Sequence, residues 1–280
     1  MLDHDLSTAA FGLAAALAWG AGDFSGGLAS RYAPILRVLI FTQVTGLGLL
    51  VGLAWLWGEP LPPTAGLLWG AAAGLLGLCG VAALYRALAI GQMGLAAPIS
   101  ALLAAVLPVL FGMATEGLPG WLRLLGFGVA LGGVWLVSRP DGAGGQPRGV
   151  GMAVLSGCAF GAYFIVLDRA GEAGIFWPLV AGRLVSFMVV LALALLRRER
   201  LPPPAGMLLL LLLPAVLEII GNTCFVLATR AGRLDVAAVL SSLYPASTVL
   251  LARIVLGERL SQAQTFGVGA VLAAIVLITV

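Results

Sequence analysis

Ten apolar segments, each about long enough to cross a membrane as a helix, follow one another along the 280-residue chain. A helix needs roughly 20 apolar residues to cross the ~30 Å hydrocarbon core of a bilayer. The loops between the segments are short, as at Glu59-Pro60-Leu61-Pro62-Pro63, and leave no room for a soluble domain. The sequence therefore predicts an all-α integral membrane protein with ten transmembrane helices. We place these spans at residues 7–28, 35–57, 65–89, 94–115, 121–138, 149–168, 177–196, 206–229, 234–256 and 261–280.

Composition argues against the other broad classes of protein. Hydrophobic residues make up 61% of the chain and charged residues only 10%, whereas a soluble domain is about 25% charged. The formal net charge of +3 is scattered along the chain, so we expect no nucleic-acid partner. The single histidine is His4, and the three cysteines lie in different apolar segments. We therefore predict no metal site, no disulfide framework and no cofactor.

The chain divides into two similar halves. We expect a first five-helix repeat at 1–138, a connecting loop at 139–148 and a second five-helix repeat at 149–280. Because each half has an odd number of crossings, the second half must be inverted relative to the first. Such inverted repeats are typical of secondary transporters, whose substrate site lies between the halves near the bilayer midplane. The matches, at a shift of about 140 positions, are Gly12 and Gly22 with Gly151 and Gly161, and Gly91, Ala96, Ala97 and Ser100 with Gly232, Ala237, Ala238 and Ser241.

The end of the second half carries the most characteristic motif. It runs from Ala237-Ala238 through Ser241 and Tyr244-Pro245 to Leu256-Gly257-Glu258-Arg259-Leu260 and the last span from Gly267. The first half has a weaker copy with Ala104 in place of Pro245, made of Gly94-Leu95-Ala96-Ala97, Pro108, Thr115-Glu116-Gly117-Leu118-Pro119 and Gly126. On these residues, essentially the whole chain resembles the drug/metabolite transporter (DMT) superfamily, and within it the EamA-type members with two five-helix repeats.

That resemblance implies a secondary transporter of small metabolites with a central cavity lined mainly by spans 1, 3, 4, 6, 8 and 9. Bacterial members of this size commonly export amino acids or related compounds, so an amino-acid exporter of the bacterial inner membrane is the leading interpretation. The superfamily also carries drugs, sugars and nucleotide-sugars, which stay as alternatives. The expected partners are a small-molecule substrate and the lipid bilayer, with one chain as the transport unit.

Ionisable side chains inside the spans are the first candidates for the transport pathway. An Asp, Lys or Arg at the centre of a bilayer costs about 2.5 to 3.5 kcal/mol on insertion scales, so such groups persist where they are paired or face water. Glu218 lies near the middle of its span, one turn from Asn222. The alternative is that Glu218 is simply protonated, or binds Asn222 or a serine as a structural contact between helices. Arg183, Arg86 and Asp23 are further candidates, with contacts to headgroups or a structural pair as the alternative.

Aromatic and hydroxyl side chains form a second set of candidates. Rings with a polar group suit a cavity that is partly wet and partly apolar, although aromatic residues in spans are also common in plain packing. The candidates are Trp19, Phe24, Tyr85, Tyr163 and Tyr244, with Gln43, Ser100, Ser241 and Ser242 as hydrogen-bonding residues.

These candidates combine into a hypothesis of alternating access, in which two half-bundles rock about the cavity. Arg183 or Arg86 would bind the carboxylate of an amino-acid-like substrate, and Glu218 would bind its ammonium group or carry a proton. Facilitated diffusion without coupling is the simpler alternative. An intramembrane enzyme or a channel is disfavoured, because no span carries a histidine or an acidic cluster.

Orientation is indicated only by the arginines. Ten of the 15 lie nearer the side that carries the loops after spans 1, 3, 5, 7 and 9. Because positive charge concentrates on the cytoplasmic side, this count favours both termini outside the cytoplasm. The family resemblance favours the opposite orientation.

Overall fold

The computed structural model of the chain describes residues 2–29, 34–90, 93–138, 149–198, 208–256 and 261–279. Over these ranges the chain is helical and contains no β-strand. The predicted loop at 139–148 lies outside the described residues. The helices are α1 Leu2–Ala29, α2 Ile35–Leu56, α3 Thr64–Ile90, α4 Met93–Glu116, α5 Trp121–Ser138, α6 Val150–Ala173, α7 Phe176–Leu196, α8 Leu208–Ala231, α9 Leu234–Ser241, α10 Tyr244–Leu256 and α11 Gln262–Thr279.

The all-α membrane character of the chain is confirmed. Within the described ranges, eight spans are long and apolar enough to cross a membrane: α2, α3, α4, α6, α7, α8, α11 and the combined α9–α10 segment. The other two predicted spans correspond to α1, with 28 residues, and to α5, with 18 residues.

The ninth predicted span differs from the expectation of one continuous helix. It is interrupted between Ser241 and Tyr244, which divides it into α9 and α10. Leu243 donates its backbone hydrogen bond to Leu240 over 3.2 Å, a tighter turn than that of an α-helix. Pro245 has no N–H to donate to residue 241, and its ring crowds that carbonyl, so it disrupts the helix here.

Glycine and proline define the helix ends at one end of the bundle. Gly58 follows α2 with φ +65°, and Gly117 follows α4 with φ +85°. This left-handed conformation, which favours glycine, terminates many helices. Pro62 and Pro63 then precede the first residue of α3. The short loops at this end therefore follow from local chain chemistry.

The helices pack in pairs that correspond when the two halves are exchanged. Helix α1 packs on α8 as α6 packs on α3, and α1 packs on α10 as α6 packs on α4. Helix α3 contacts α7, and the corresponding helices α8 and α2 also contact each other. The α5–α11 pair and the α2–α7 pair each consist of two equivalent helices, one from each half. Such correspondence is what two related five-helix units would produce. The inverted orientation of the second unit stays a prediction.

Helices α3 and α7 approach closely through glycine. A Cβ atom at Gly70 would collide with the backbone of Pro178, and one at Gly74 would collide with the backbone of Gly182. Close approach through small residues supplies packing energy where lipid removes the hydrophobic drive between helices. The contact brings α7 against the centre of the bundle.

Candidate functional site

A cavity of ≈ 520 Å³ lies in the middle of the bundle. Its described walls come from α1, α2, α3, α6, α7 and α8, together with Ala104 of α4 and Tyr244 of α10. Spans 2 and 7 therefore also line the cavity, which the family resemblance did not imply. Helix α7 packs closely on α3 through Gly70 and Gly74, and this contact places α7 beside the cavity.

Arg183 and Glu218 form an ion pair at the centre of this cavity. Arg183 Nη1 lies 2.9 Å from Glu218 Oε2 and 2.6 Å from Gln43 Oε1. The Arg183 side chain is 4% exposed, whereas that of Glu218 is 46% exposed. Arg183 is therefore held among helices, which does not fit the alternative of a side chain reaching lipid headgroups. Glu218 presents its carboxylate to the cavity.

Gly46 of α2 makes room for the Arg183 guanidinium. A Cβ at position 46 would lie 2.9 Å from Arg183 Nε and 3.0 Å from its Cζ. Arg183 Nη2 is buried and makes no hydrogen bond within the described part of the chain. The Nη2 group of Arg183 can therefore still donate a hydrogen bond to a molecule in the cavity.

Asn222 binds two aromatic side chains from two other helices. Its Oδ1 accepts hydrogen bonds from Trp19 Nε1 at 2.9 Å and from the Tyr163 hydroxyl at 3.0 Å. The alternative that Asn222 binds Glu218 is therefore not what the structure shows. Glu218 and Asn222 do share a face of α8, as predicted, and both line the cavity. The Asn222 side-chain oxygen instead accepts hydrogen bonds from Trp19 of α1 and Tyr163 of α6.

Asp23 is the unpaired charge of the cavity. Its side chain is exposed to the cavity and makes no hydrogen bond or ion pair with any described residue. It lies close enough to Glu218 and Tyr244 to interact with both electrostatically. Among the described lining residues the charged ones are Asp23, Arg183 and Glu218, so the lining carries a net charge of −1 when all three are ionised.

Stacked rings support one wall of the cavity. The ring centroids of Trp19 and Phe164 are 5.5 Å apart, and those of Phe164 and Phe225 are 4.9 Å apart. Tyr163 contacts Phe164 at 5.7 Å. Such packing holds the hydrogen-bonding edges of Trp19 and Tyr163 toward Asn222 and leaves an apolar surface beside the charges.

The predicted site residues separate into two groups. Those that line the cavity are Trp19, Asp23, Tyr163, Arg183, Glu218, Asn222 and Tyr244. Ser100 lies outside it, because its hydroxyl pairs with that of Ser156 at 2.8 Å. Ser241 also lies outside, buried, and donates to the Gly12 carbonyl at 3.3 Å.

Three further predicted residues take no described part in the cavity. Phe24 is half-buried on α1 outside the lining, and Arg86 is exposed near the end of α3. Tyr85 lies on α3, but its side chain is outside the described structure. The assignment of Arg86 to a substrate carboxylate therefore loses its basis, because the side chain is not beside the cavity.

The sequence identified Gln43 as a hydrogen-bonding candidate but did not pair it with Arg183, and it did not identify Gly46 as the residue that leaves room for the guanidinium. Gln43 and Arg183 are equivalent positions, since they match at the same shift of about 140 residues. Their contact could not be predicted from that match, because every position of the first half has a match at the same shift and only the packing of α2 on α7 brings this pair together.

The amino-acid sequence matches a known protein family over its second half. Residues 147–280 match the EamA-like transporter family. The match lies in the second half of the chain and confirms the resemblance to the DMT superfamily. The EamA-like family implies a membrane transporter of the DMT type. Membership of a transporter family is consistent with the expectation that the chain is not an enzyme.

Solved structures extend the fold over the whole chain. A protein crystal structure with 19% sequence identity superposes with a TM-score of 0.78, covering 97% of this EamA-like chain and 96% of its own. In all, 28 chains of solved structures match. None of the curated protein sequences matches this chain. The structural likeness shows the fold alone.

Proposed function

We propose that this protein is a secondary transporter that exports small metabolites by alternating access, with the central cavity as the substrate site. The observation that carries the proposal is a cavity of ≈ 520 Å³ lined from both halves, with Asp23 unpaired beside the Arg183–Glu218 ion pair. Ionisable groups inside a membrane protein usually mark a substrate or ion pathway. A single chain in the bacterial inner membrane is the proposed transport unit.

The two-repeat architecture supports a rocking mechanism. Helix packing corresponds between the halves, and the loop Glu59-Pro60-Leu61-Pro62-Pro63 recurs in sequence as Glu199-Arg200-Leu201-Pro202-Pro203. The proposed units are 1–138 and 149–280, inverted relative to each other. In transporters built this way, one unit tilts against the other around a fixed site.

The leading substrate class is amino acids or related compounds that carry an ammonium group. Glu218 is already paired with Arg183, so we assign the substrate ammonium to Asp23 instead. A substrate carboxylate would compete with Glu218 for Arg183. The stacked rings of Trp19 and Phe164 in the cavity wall also fit an aromatic organic cation, so a multidrug carrier is the second candidate.

Counterflow in proteoliposomes tests this proposal. Vesicles loaded with an unlabelled amino acid or amine should accumulate the same labelled compound, with saturable kinetics. Asp23→Asn should reduce the initial rate at least tenfold, because the ammonium loses its charged partner. The control is Glu172→Gln, which removes an exposed carboxylate on α6 that is not part of the cavity lining and should leave the rate unchanged.

The same experiment can contradict the proposal in distinct ways. A flux that rises linearly with concentration would indicate a channel. An unchanged rate in Asp23→Asn would refute the ammonium assignment. If a panel of zwitterionic amino acids, amines and aromatic cations showed no counterflow at all, the proposed substrate classes would be wrong.

A further inference from the structure

Glu59 joins the two halves of the molecule at one end of the bundle. It follows α2 by three residues, and its carboxylate accepts hydrogen bonds from two backbone N–H groups at the start of α7. The distances are 2.7 Å from Ile175 N to Oε1 and 2.8 Å from Phe176 N to Oε2. The Trp177 indole donates to the Glu59 carbonyl at 2.8 Å. We call these contacts the Glu59 latch.

The latch supplies what α7 lacks in its own sequence. The first N–H groups of a helix have no partner within the helix, and the N-cap side chain normally accepts from them. Here the N-cap is Ile175, whose side chain cannot accept a hydrogen bond. A carboxylate at this position is also favoured by the positive end of the helix dipole. The first half of the chain therefore caps a helix of the second half.

The geometry around Glu59 is built to hold the carboxylate in place. Glu59 N donates to Ala54 O at 3.0 Å, which fixes the residue to the last turn of α2. On the other side, a side chain at Gly174 would collide with the Glu59 carboxylate, so glycine leaves space for it. The latch thus connects the end of α2 rigidly to the start of α7.

The same two helices also meet at the cavity, through the hydrogen bond from Arg183 to Gln43. These two residues occupy equivalent positions of the two halves. The Glu59 latch lies at one end of the helix pair, and the residue that matches Glu59 under the repeat, Glu199, lies outside the described residues. Among the described contacts, α2 and α7 are thus joined near the cavity by Arg183 and Gln43 and at one end by the Glu59 latch.

We infer that Glu59 is a positioning residue of the transport cycle, whose carboxylate holds the transporter closed at this end by fastening α7 to α2. Opening this end separates the halves here and breaks the contacts to Ile175 and Phe176. Arg183 lies on α7 about 10 Å from these contacts at 1.5 Å per residue, so movement of α7 also moves the central ion pair. The inference rests on the proposed alternating access.

Cysteine accessibility tests the latch without any substrate. In a background with Cys79, Cys158 and Cys224 replaced by Ala, Leu78→Cys places a reporter on the cavity wall. A membrane-impermeant maleimide is added to each side of oriented vesicles in turn. A separate Leu61→Cys variant, at a position 71% exposed in the loop after Glu59, identifies the latched side.

Removal of the carboxylate should change accessibility in opposite directions on the two sides. Glu59→Ala should raise reporter labelling from the latched side about tenfold and lower it from the other side. Glu59→Gln keeps one acceptor oxygen, so about a threefold rise is expected, and this milder variant carries the test if Glu59→Ala does not fold. Glu172→Ala, an exposed carboxylate at the same end with 64% side-chain exposure, should change neither rate.

Two results would overturn the inference. One is unchanged labelling in both Glu59 variants, with or without a lower Tm, which would make the contact an ordinary helix cap. The other is an equal rise in Glu172→Ala, which would make the effect one of surface charge. Because no substrate is used, failure here leaves the transport assay unaffected, and failure of transport leaves the labelling result intact.

Discussion

Breaking the central ion pair should destabilise the protein by an amount that depends on which partner is removed. Glu218→Leu leaves the Arg183 guanidinium, 4% exposed, with Gln43 as its remaining polar partner. An uncompensated buried charge costs about 3 kcal/mol or more. Arg183→Met instead leaves Glu218, whose side chain is 46% exposed and can be solvated in the cavity, so we expect a cost of about 1 kcal/mol.

Thermal unfolding of the purified protein in detergent measures this difference. For a chain of this size, 1 kcal/mol corresponds to roughly 2 °C in Tm. Glu218→Leu should therefore lower Tm by about 6 °C and Arg183→Met by about 2 °C, on that scale. The double variant Arg183→Met/Glu218→Leu should lie closer to wild type than Glu218→Leu alone, because replacing both charges by apolar groups is often neutral or stabilising.

The order of the two single variants is the decisive result. Equal Tm values, or a lower Tm for Arg183→Met, would mean that Arg183 is solvated or that Glu218 is the more deeply buried charge. Either finding would contradict the structure, in which the Arg183 side chain is buried and the Glu218 side chain is exposed to the cavity. A double variant less stable than both single variants would refute the view that desolvation dominates this contact.

Two further substitutions test the surroundings of the pair. Gly46→Val should reduce counterflow severalfold with a small change in Tm, because a Cβ there lies 2.9 Å from Arg183 Nε and displaces the guanidinium; an unchanged rate would show that Arg183 can shift freely. Asn222→Leu leaves the Trp19 indole and Tyr163 hydroxyl without their acceptor, at a cost of about 1–3 kcal/mol per unsatisfied buried group. Its Tm should fall by several degrees, and a Tm equal to wild type would mean that both donors find other partners.

Much of the candidate site was predictable from residue type and position along a span. Glu218, Asn222, Arg183, Asp23 and Tyr163 were all selected as polar groups in apolar helices, and all of them line the cavity. Polar groups are costly in lipid, so their presence alone indicates an inward position. This argument says that a group faces inward, and it does not distinguish a cavity from a buried contact.

Ser100 and Arg86 show the limit of that argument. Ser100 faces inward as expected, but the hydroxyl of Ser156 and the interface of α4 with α6 satisfy it away from the cavity. Arg86 lies on the exposed surface of α3 instead. Whether a polar side chain meets a neighbouring helix, the cavity or the surface depends on helix rotation and on which helices pack together, and neither is encoded locally.

The sequence by itself determined the ten apolar spans, the helix ends at glycine and proline, and the similarity of the halves. These depend on segment length, backbone chemistry and the order of residues, which are local properties of the chain. Only the tertiary structure decided that Glu218 pairs with Arg183, that Asn222 binds Trp19, and that Asp23 has no hydrogen bond or ion pair with the residues the structure describes. The partners in these contacts come from different helices, and packing decides which side chains come within hydrogen-bonding distance.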